Sequence, residues 1–369
     1  MEQLKICFTG GGSGGHIFPV FAIDGALNSY CTENNINYSR FWLGSKNKKE
    51  IQWIKENGIR HIGINSGKLR RYFSLRTPID LFLVVVGFFQ ALKILRKEKP
   101  DLLFSKGGFV SVAPVWAAKV VRIATITHES DAIAGLATSL NSLVVDKVCL
   151  PFEECRYSLP KRAQHKGIVS GVPSRLKKTF YDKSTVYDKY GFDQNLPLLV
   201  VLGGSLGSQQ LNDLVEKNLG ELTKLTNIVH QSGTQNYSDI KMKNYKRFSF
   251  IKGELEELLN VATLVVSRGG ATALADFSKV GVPMLIIPLS TKSSRGDQIA
   301  NAQRLSQNNA AVVLDSDSLD EKKFLDTVVQ LLSCVKIQEQ LAYNAAALYK
   351  GDAEKLCVDA ILKTLKGRN

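Results

Sequence analysis

The sequence predicts two α/β domains, each built on a parallel sheet. Three observations carry that expectation. Short apolar strands alternate with helical stretches, an order that pairs strands in parallel through crossover helices. A strand, a Gly-Gly loop and a helix occur in the first half and again in the second. Each half later holds a strand, a Ser-basic-Gly-Gly tetrad, a helix and another strand. The tetrads are Ser105-Lys106-Gly107-Gly108 and Ser267-Arg268-Gly269-Gly270.

The first half opens with an apolar strand at residues 5–9. It runs into Gly10-Gly11-Gly12-Ser13-Gly14-Gly15-His16, followed by a helical pattern over 19–27. A second strand is read at 40–44 and a helix at 48–57. A strand at 101–104 ends in the first tetrad, and a helix follows over 111–120. A strand end at 125–127 leads into His128-Glu129-Ser130-Asp131.

The second half opens at residues 198–202 behind Pro197, a strand entry where proline is tolerated. Gly203-Gly204-Ser205-Leu206-Gly207-Ser208 and a helix over 210–219 come next. Strands at 228–230 and 263–266, the second tetrad, a helix over 271–280 and a strand at 284–288 complete the repeat. The boundary falls after Val169, where Gly171, Pro173 and a lysine-rich stretch mark a linker. The domains expected are 1–170 and 196–345, with 171–195 as the linker region.

The 369 residues suit about two domains, and 44% apolar with 22% charged residues excludes a disordered chain. The net charge of +14 points to an anionic partner: nucleic acid, a membrane surface or a phosphorylated substrate. The start, Met1-Glu2-Gln3-Leu4-Lys5, does not read as a secretory signal. The longest apolar run, 81–89, falls short of the roughly 20 residues a spanning helix needs. Lys68, Arg70, Arg71 and Arg76 precede it, and Lys93, Arg96, Lys97 and Lys99 follow. Basic flanks beside an apolar face suit an anionic membrane surface; a buried crossover helix with basic ends is the other reading. Six scattered cysteines without a CxxC pair read as free thiols rather than disulfides or zinc ligands.

A glycine loop between strand and helix lets backbone N–H groups approach a phosphate at the positive helix end. Residues 10–15 fit that context but lack the Gly-Lys-[Ser/Thr] of a Walker loop. No acidic partner about 20 residues on supports a dinucleotide cofactor. His16 follows the loop at the carboxyl end of the sheet. It is a candidate base, or a histidine that only lines the loop. Residues 128–131 could bind a sugar or simply begin a helix. Asp276 could hold a ribose diol or be a solvated helix carboxylate. Gln298 can donate and accept at once, as a sugar hydroxyl requires, or it simply belongs to a polar helix start. Asp315-Ser316-Asp317 is nominally a metal-holding DxD. The local reading is a capping box from Ser318 to Glu321, and no metal site is expected.

With these motifs in hand, the chain resembles the peptidoglycan N-acetylglucosaminyltransferases of glycosyltransferase family 28. The resemblance covers nearly the whole chain. It rests on residues 10–16, 104–111 and 128–131, on Gly203-Gly204-Ser205-Leu206-Gly207, on Ser267-Arg268-Gly269-Gly270 and on Ser294-Arg295-Gly296-Asp297-Gln298. It implies a GT-B fold, two Rossmann-like parallel-sheet domains facing across a cleft. It also implies metal-independent, inverting transfer without a cofactor. GlcNAc would pass from UDP-GlcNAc to the C4 hydroxyl of the MurNAc of the undecaprenyl-linked acceptor, lipid I. The N-terminal domain would bind the acceptor and touch the membrane, and the C-terminal domain would bind the donor. A final helix near 346–369 would return to the N-terminal domain. The expected location is the cytoplasmic face of the membrane, peripherally bound, with no nucleic acid partner.

Carried over by position, the resemblance puts Ser13, Gly14 and Gly15 at the donor-sugar and acceptor-phosphate side. His16 becomes base or acceptor contact. Arg175 and Ser205 become donor contacts, the latter near the pyrophosphate. The Ile251 backbone would read uracil, and Gln298 would touch the sugar. Asp131 stands where many members have asparagine. Asp276 stands where the family has a ribose-gripping glutamate, so the diol contact would lengthen or pass through water. Rival readings are a GT-B transferase acting on diacylglycerol, a UDP-GlcNAc 2-epimerase and a non-enzymatic sensor.

Overall fold

Strand β1 (Gln3–Thr9) is buried almost throughout, as a central parallel strand must be. Leu4, Ile6 and Phe8 enter one core layer, and Cys7 enters the other. That division follows the two-residue period of a strand. The structure is a computed structural model describing residues 2–67, 77–204, 207–233, 240–251, 253–290, 296–349 and 351–368. The chain divides into two units, Met1–Arg175 with Lys350–Asn369, and Leu176–Tyr349.

The first unit adds β2 (Asn37–Gly44), β3 (Arg60–Gly63), β4 (Leu102–Ser105), β5 (Ala124–His128), β6 (Lys147–Leu150) and β7 (Gly167–Val169). All strand pairs are parallel, in the order β3-β2-β1-β4-β5-β6-β7. Its helices are α1 (Phe18–Glu33), α2 (Lys48–Glu56), α3 (Thr77–Glu98), α4 (Val112–Val120) and α5 (Leu136–Ser142). The strand order reverses between β1 and β4. Ligands of such sheets bind at the carboxyl ends of the strands beside such a reversal.

Helix α3 departs from the sequence reading. The apolar run of 81–89 sits inside a 22-residue helix whose most apolar 18 residues have a mean hydropathy of 1.9 and are only 17% buried. By length and composition alone this helix could cross a membrane. Asp80 and Gln90 hid its extent, because a run count stops at the first polar residue. Its inner face packs on the domain through Gly87, Ala91 and Leu95. A Cβ on Gly87 would lie 2.1 Å from the Asn65 carbonyl oxygen, so the helix backbone rests directly on that loop. Its outer face shows Ile79, Leu81, Phe82, Val85 and Phe89 to solvent. Lys68, Arg70, Arg71 and Arg76 lie outside the described residues.

The second unit repeats the plan with six strands. They are β8 (Leu198–Leu202), β9 (Asn227–Gln231), β10 (Tyr245–Phe248), β11 (Leu264–Ser267), β12 (Met284–Ile286) and β13 (Val312–Val313). The order is β10-β9-β8-β11-β12-β13, again reversing beside the first strand. Helices α6 (Lys183–Tyr190), α7 (Gln209–Lys217), α8 (Leu219–Leu225), α9 (Leu255–Val261), α10 (Ala271–Val280), α11 (Asp297–Gln307), α12 (Glu321–Ser333) and α13 (Val335–Leu348) cover it.

Two local readings change here. Residues 183–190, inside the stretch read as linker, form α6. Asp182 caps the helix by accepting the Thr185 N–H at 2.9 Å, and Gly191 ends it at φ +65°. Val186, Tyr187 and Tyr190 join the core of the second unit. Its few apolar positions were hidden among lysines. At α12 the cap is Asp320, which accepts the Lys323 N–H at 2.7 Å. Ser318 instead donates to Asp315 Oδ2 at 3.2 Å, so the expected capping box does not form. A carboxylate one residue before the helix caps as well as serine and stands nearer.

The last helix, α14 (Ala353–Lys366), belongs to the first unit. Cys357, Val358 and Ile361 share the core layer of Leu4, Ile6, Phe8 and Val20. The Ser174 N–H donates to Glu354 Oε1 at 2.6 Å, and Arg368 pairs with Asp146 at 2.7 Å.

Candidate active site

In the first unit the two loops at the switch point are stitched together. The Lys106 N–H donates to the Thr9 carbonyl at 2.8 Å. Gly108 has φ +75°, and a Cβ there would lie 2.3 Å from the Gly11 carbonyl oxygen and 3.0 Å from His16 Cδ2. Only glycine permits that approach. His16 Nδ1 lies 3.1 Å from the Lys106 carbonyl oxygen. A carbonyl only accepts, so Nδ1 carries the hydrogen and Nε2 the lone pair. Gly14–His16 form one 3₁₀ turn that leads into α1. Ser13 is exposed beside that turn, Gly15 and His16 are half-buried, and Gly14 is buried.

Lys106 points inward, 1% exposed, with Nζ donating to Ser130 Oγ at 2.7 Å. Burial lowers its pKa, while Glu129 and Asp131 oppose that shift. Glu129 organises its own loop. Its Oε1 accepts the Ser130 and Asp131 N–H groups at 2.8 and 3.0 Å, and its Oε2 accepts the Gly135 N–H at 2.9 Å. His128 is fully buried, with Nε2 2.9 Å from the Gly171 carbonyl oxygen. Burial, and then the charge of Lys106, hold its pKa well below the usual histidine value. The 128–131 segment therefore does not present a row of sugar-binding side chains. His128, Glu129 and Ser130 build the loop, and Asp131 is the half-buried member at its rim.

Arg175, carried over as a donor contact, is exposed in the first unit. Its guanidinium lies 4.9 Å from the Phe18 ring centroid and 5.6 Å from that of Phe21. Both aromatics belong to α1, the helix that follows the glycine loop.

The second unit places its glycine loop after β8 and its tetrad after β11, the neighbouring strand. Ser205 lies outside the described residues, as do Ser294 and Arg295. Ser208 caps α7 by accepting the Leu211 N–H at 3.4 Å. Arg268 is 6% exposed and turned under this loop. Its Nε donates to Ser208 Oγ at 2.9 Å and its Nη1 to the Ile287 carbonyl at 2.9 Å, and Gln210 Oε1 accepts at 3.2 Å. Burial pushes its pKa down to about 10, so it keeps its charge near neutral pH. No carboxylate pairs with it among the described residues.

Gln231, at the end of β9, joins two predicted parts of the site. Its Nε2 donates to the Gly204 carbonyl at 3.0 Å, and its Oε1 accepts the Ile251 N–H at 2.8 Å. The Ile251 amide is therefore already engaged, and its side chain is buried in the core. Gln298 stands in the first turn of α11, where Oε1 accepts the Leu289 N–H at 3.0 Å. A Cβ on Gly269 would lie 2.3 Å from the Gln298 carbonyl oxygen, so the tetrad and α11 touch through backbone. Asp276 is half-buried on α10, the helix that follows the same tetrad.

Sequence reasoning missed the inward turn of Lys106 and Arg268, although both stood in the quoted tetrads. It also missed Gln231 and Glu50, which sit in unremarkable strand and helix patterns. Only contact across the sheet edge marks them.

The chain matches the model of the glycosyltransferase family 28 N-terminal domain over residues 6–150 and that of the family 28 C-terminal domain over 198–356. A Clostridium botulinum (strain Alaska E43 / Type E3) relative is 37% identical over 369 residues, 99% of each chain. It is named UDP-N-acetylglucosamine--N-acetylmuramyl-(pentapeptide) pyrophosphoryl-undecaprenol N-acetylglucosamine transferase. A Clostridium tetani relative of the same name is 38% identical over 324 residues, 87% of this chain and 88% of that one. Among solved structures, Acinetobacter baumannii MurG aligns with TM-score 0.74 at 23% identity, over 98% of this chain and 100% of that one. A Neisseria meningitidis UDP-GlcNAc 2-epimerase aligns with TM-score 0.68 at 14% identity, over 98% and 100%. Likeness at these identities speaks to fold alone.

Proposed function

The chain belongs to glycosyltransferase family 28, and on that premise we propose that it transfers GlcNAc from UDP-GlcNAc to the MurNAc of lipid I, giving lipid II. The observation that carries the reading is the 37% identity to a transferase of that name along 99% of both chains. The epimerase shares the architecture at 14% identity, which gives no reason to prefer its chemistry.

In this reading the acceptor's C4 hydroxyl oxygen attacks the anomeric carbon of the donor sugar. The bond from that carbon to the UDP oxygen breaks, its electron pair leaves with UDP, and the configuration inverts. His16 accepts the hydroxyl proton at Nε2, the nitrogen left basic when Nδ1 donates to Lys106. The first unit serves the acceptor through Ser13, Gly14, Gly15 and Asp131. The second serves the donor. Its glycine loop holds the pyrophosphate, with Ser205 in that loop, and the buried Arg268 beneath stabilises charge growing on the leaving group. Arg175 supplies a further cation toward the donor. Asp276 takes the ribose, Gln298 donates to the sugar, and uracil recognition at Ile251 falls to its carbonyl, since its N–H is engaged by Gln231.

The chain works at an anionic membrane surface, lying on it by α3 rather than crossing it. The exposed apolar face of α3, with Lys93, Arg96 and Lys97 beyond it, supports this. So does the burial of its other face, which an extracted spanning helix would lose. The cytoplasmic leaflet is the side we assign.

The test is UDP release and label transfer from radiolabelled UDP-GlcNAc, with a lipid I analogue, with diacylglycerol or with no acceptor. Label in the lipid I product alone is expected. Transfer to diacylglycerol would reassign the acceptor. Turnover of UDP-GlcNAc without acceptor would point to an epimerase, and binding without turnover to a sensor.

A further inference from the structure

Glu50 stands in the first turn of α2 and is 8% exposed. Among the described residues no cation pairs with its carboxylate. Asn47 sets the helix start by accepting the Lys49 and Glu50 N–H groups at 2.9 and 3.2 Å. From there Glu50 reaches the first glycine loop. Its Oε1 accepts the Gly12 N–H at 2.9 Å, and its Oε2 accepts the Ser45 hydroxyl at 2.7 Å. Ser45 Oγ in turn accepts the Asn47 N–H at 3.2 Å. A Cβ on Gly11 would fall 2.8 Å from Glu50 Oε2, so the carboxylate lies directly against that part of the loop.

Glycine loops of this kind offer backbone N–H groups to a bound phosphate. Here the chain's own carboxylate already takes the Gly12 N–H. We propose that Glu50 is a positioning residue of the transferase. It closes the Gly11–Gly12 half of the loop to anions and leaves the acceptor's phosphates to the Ser13–His16 half. A second anion beside an unpaired, poorly hydrated carboxylate is repelled, whereas a neutral sugar is not. The loop is thereby divided into a sugar side and a phosphate side, and that division fixes which way round the acceptor lies against His16. The hydrogen bond also holds Gly12 at φ +95°, which sets the path of the chain into the His16 turn.

The inference rests on the transferase reading. Acceptor-dependent UDP release by the wild-type enzyme is therefore measured first, since its absence sinks that reading and not this one. Three variants then separate charge from geometry. Glu50→Gln keeps an acceptor for Gly12 and removes the charge. It is expected to lower kcat several-fold, as acceptor also seats the wrong way round, and to bind inorganic pyrophosphate, as an inhibitor competitive with the acceptor, about tenfold more tightly. Glu50→Ala removes both, and kcat is expected to fall about a hundredfold with the donor KM within about twofold. Ser45→Ala frees one carboxylate oxygen and is expected to fall between wild type and Glu50→Ala. It serves with Glu50→Gln if Glu50→Ala does not fold. Equal pyrophosphate inhibition in wild type and Glu50→Gln overturns the proposal. So does a Glu50→Ala enzyme with wild-type kcat, or one whose donor KM and thermal midpoint fail together with kcat.

Discussion

Arg268 donates from Nε to Ser208 Oγ at 2.9 Å, which ties the tetrad after β11 to the cap of α7 after β8. Lys106 ties neighbouring segments of the first unit, its N–H to Thr9 at the end of β1 and its Nζ to Ser130. In both units the basic residue of the tetrad is turned under the neighbouring loop rather than out toward solvent.

Removing Arg268 leaves Ser208, Gln210 and the Ile287 carbonyl short of a donor. Arg268→Ala is expected to lower unfolding free energy by about 1–3 kcal/mol and to weaken UDP binding. Arg268→Lys recovers little, because a point ammonium cannot reach three acceptors in the guanidinium's fork. Denaturant melts with calorimetric UDP titration check this. Unchanged UDP affinity in Arg268→Ala would remove the residue from the donor site.

His16→Ala is expected to lower kcat by about 10²-fold or more and to abolish the acid limb of the pH–rate profile. His16→Asn, which keeps only a group at the Nδ1 position, is expected to be equally slow. Turnover within a few-fold of wild type in both would mean that another group takes the proton.

The buried His230 gives a stability signature. Its Nδ1 faces Tyr245 Oη at 2.9 Å and its Nε2 faces Asn212 Oδ1 at 3.0 Å. Burial, and then the charge of Arg247, push its pKa down to about 3. The unfolded chain titrates near pH ~6.5 and so binds more protons in between. Stability from this group is full above about pH 6.5 and is lost as pH falls toward about 3, at up to about 1.4 kcal/mol per pH unit. His128 acts in the same direction. Urea midpoints at successive pH values should fall across this window, with a shallower slope in His230→Asn. An identical slope in that variant would contradict the assignment.

Phe82 and Phe89 are 66% and 61% exposed on α3. Replacing both by glutamate is expected to weaken co-sedimentation with anionic vesicles by tenfold or more, on the order of 1.5–3 kcal/mol per buried aromatic. Wild-type binding should also weaken with added salt. Turnover of a water-soluble acceptor analogue should be unaffected. Vesicle binding that survives the double change would place the contact elsewhere.

Much of this was legible before any coordinates. The strand at 198–202 announces itself by an unbroken apolar run and that at 263–266 by Leu264-Val265-Val266, and α10 by its helical pattern over 271–280. Helix α6 was not legible, because Val186, Tyr187 and Tyr190 are too few to show a period. Helix α3 was found but cut short. Of the site, the glycine loops, the tetrads and His16 could be named from the chain, because glycine-rich spacing after a strand is a local signal. What each side chain does could not. At Gln298 the chain shows a side chain able to donate and accept, and only the fold sets its Oε1 on the Leu289 N–H. At residues 128–131 the chain leaves open a sugar contact or a helix start, and only the fold shows Glu129 accepting the N–H groups of its own loop.

By itself, then, the sequence determined the repeat: strand, glycine loop and helix, twice, with a basic tetrad in each half. Those are short-range properties, set by apolar period and by the backbone freedom of glycine. Tertiary structure decided the pairing. Parallel order β1-β4 and β8-β11 brings each glycine loop against the tetrad that lies 60 or more residues away in the chain. Once they meet, burial turns Lys106 and Arg268 inward to find hydrogen-bond acceptors and sets Glu50 against Gly12. Such choices depend on which groups share a low-dielectric space, and no local spacing records that.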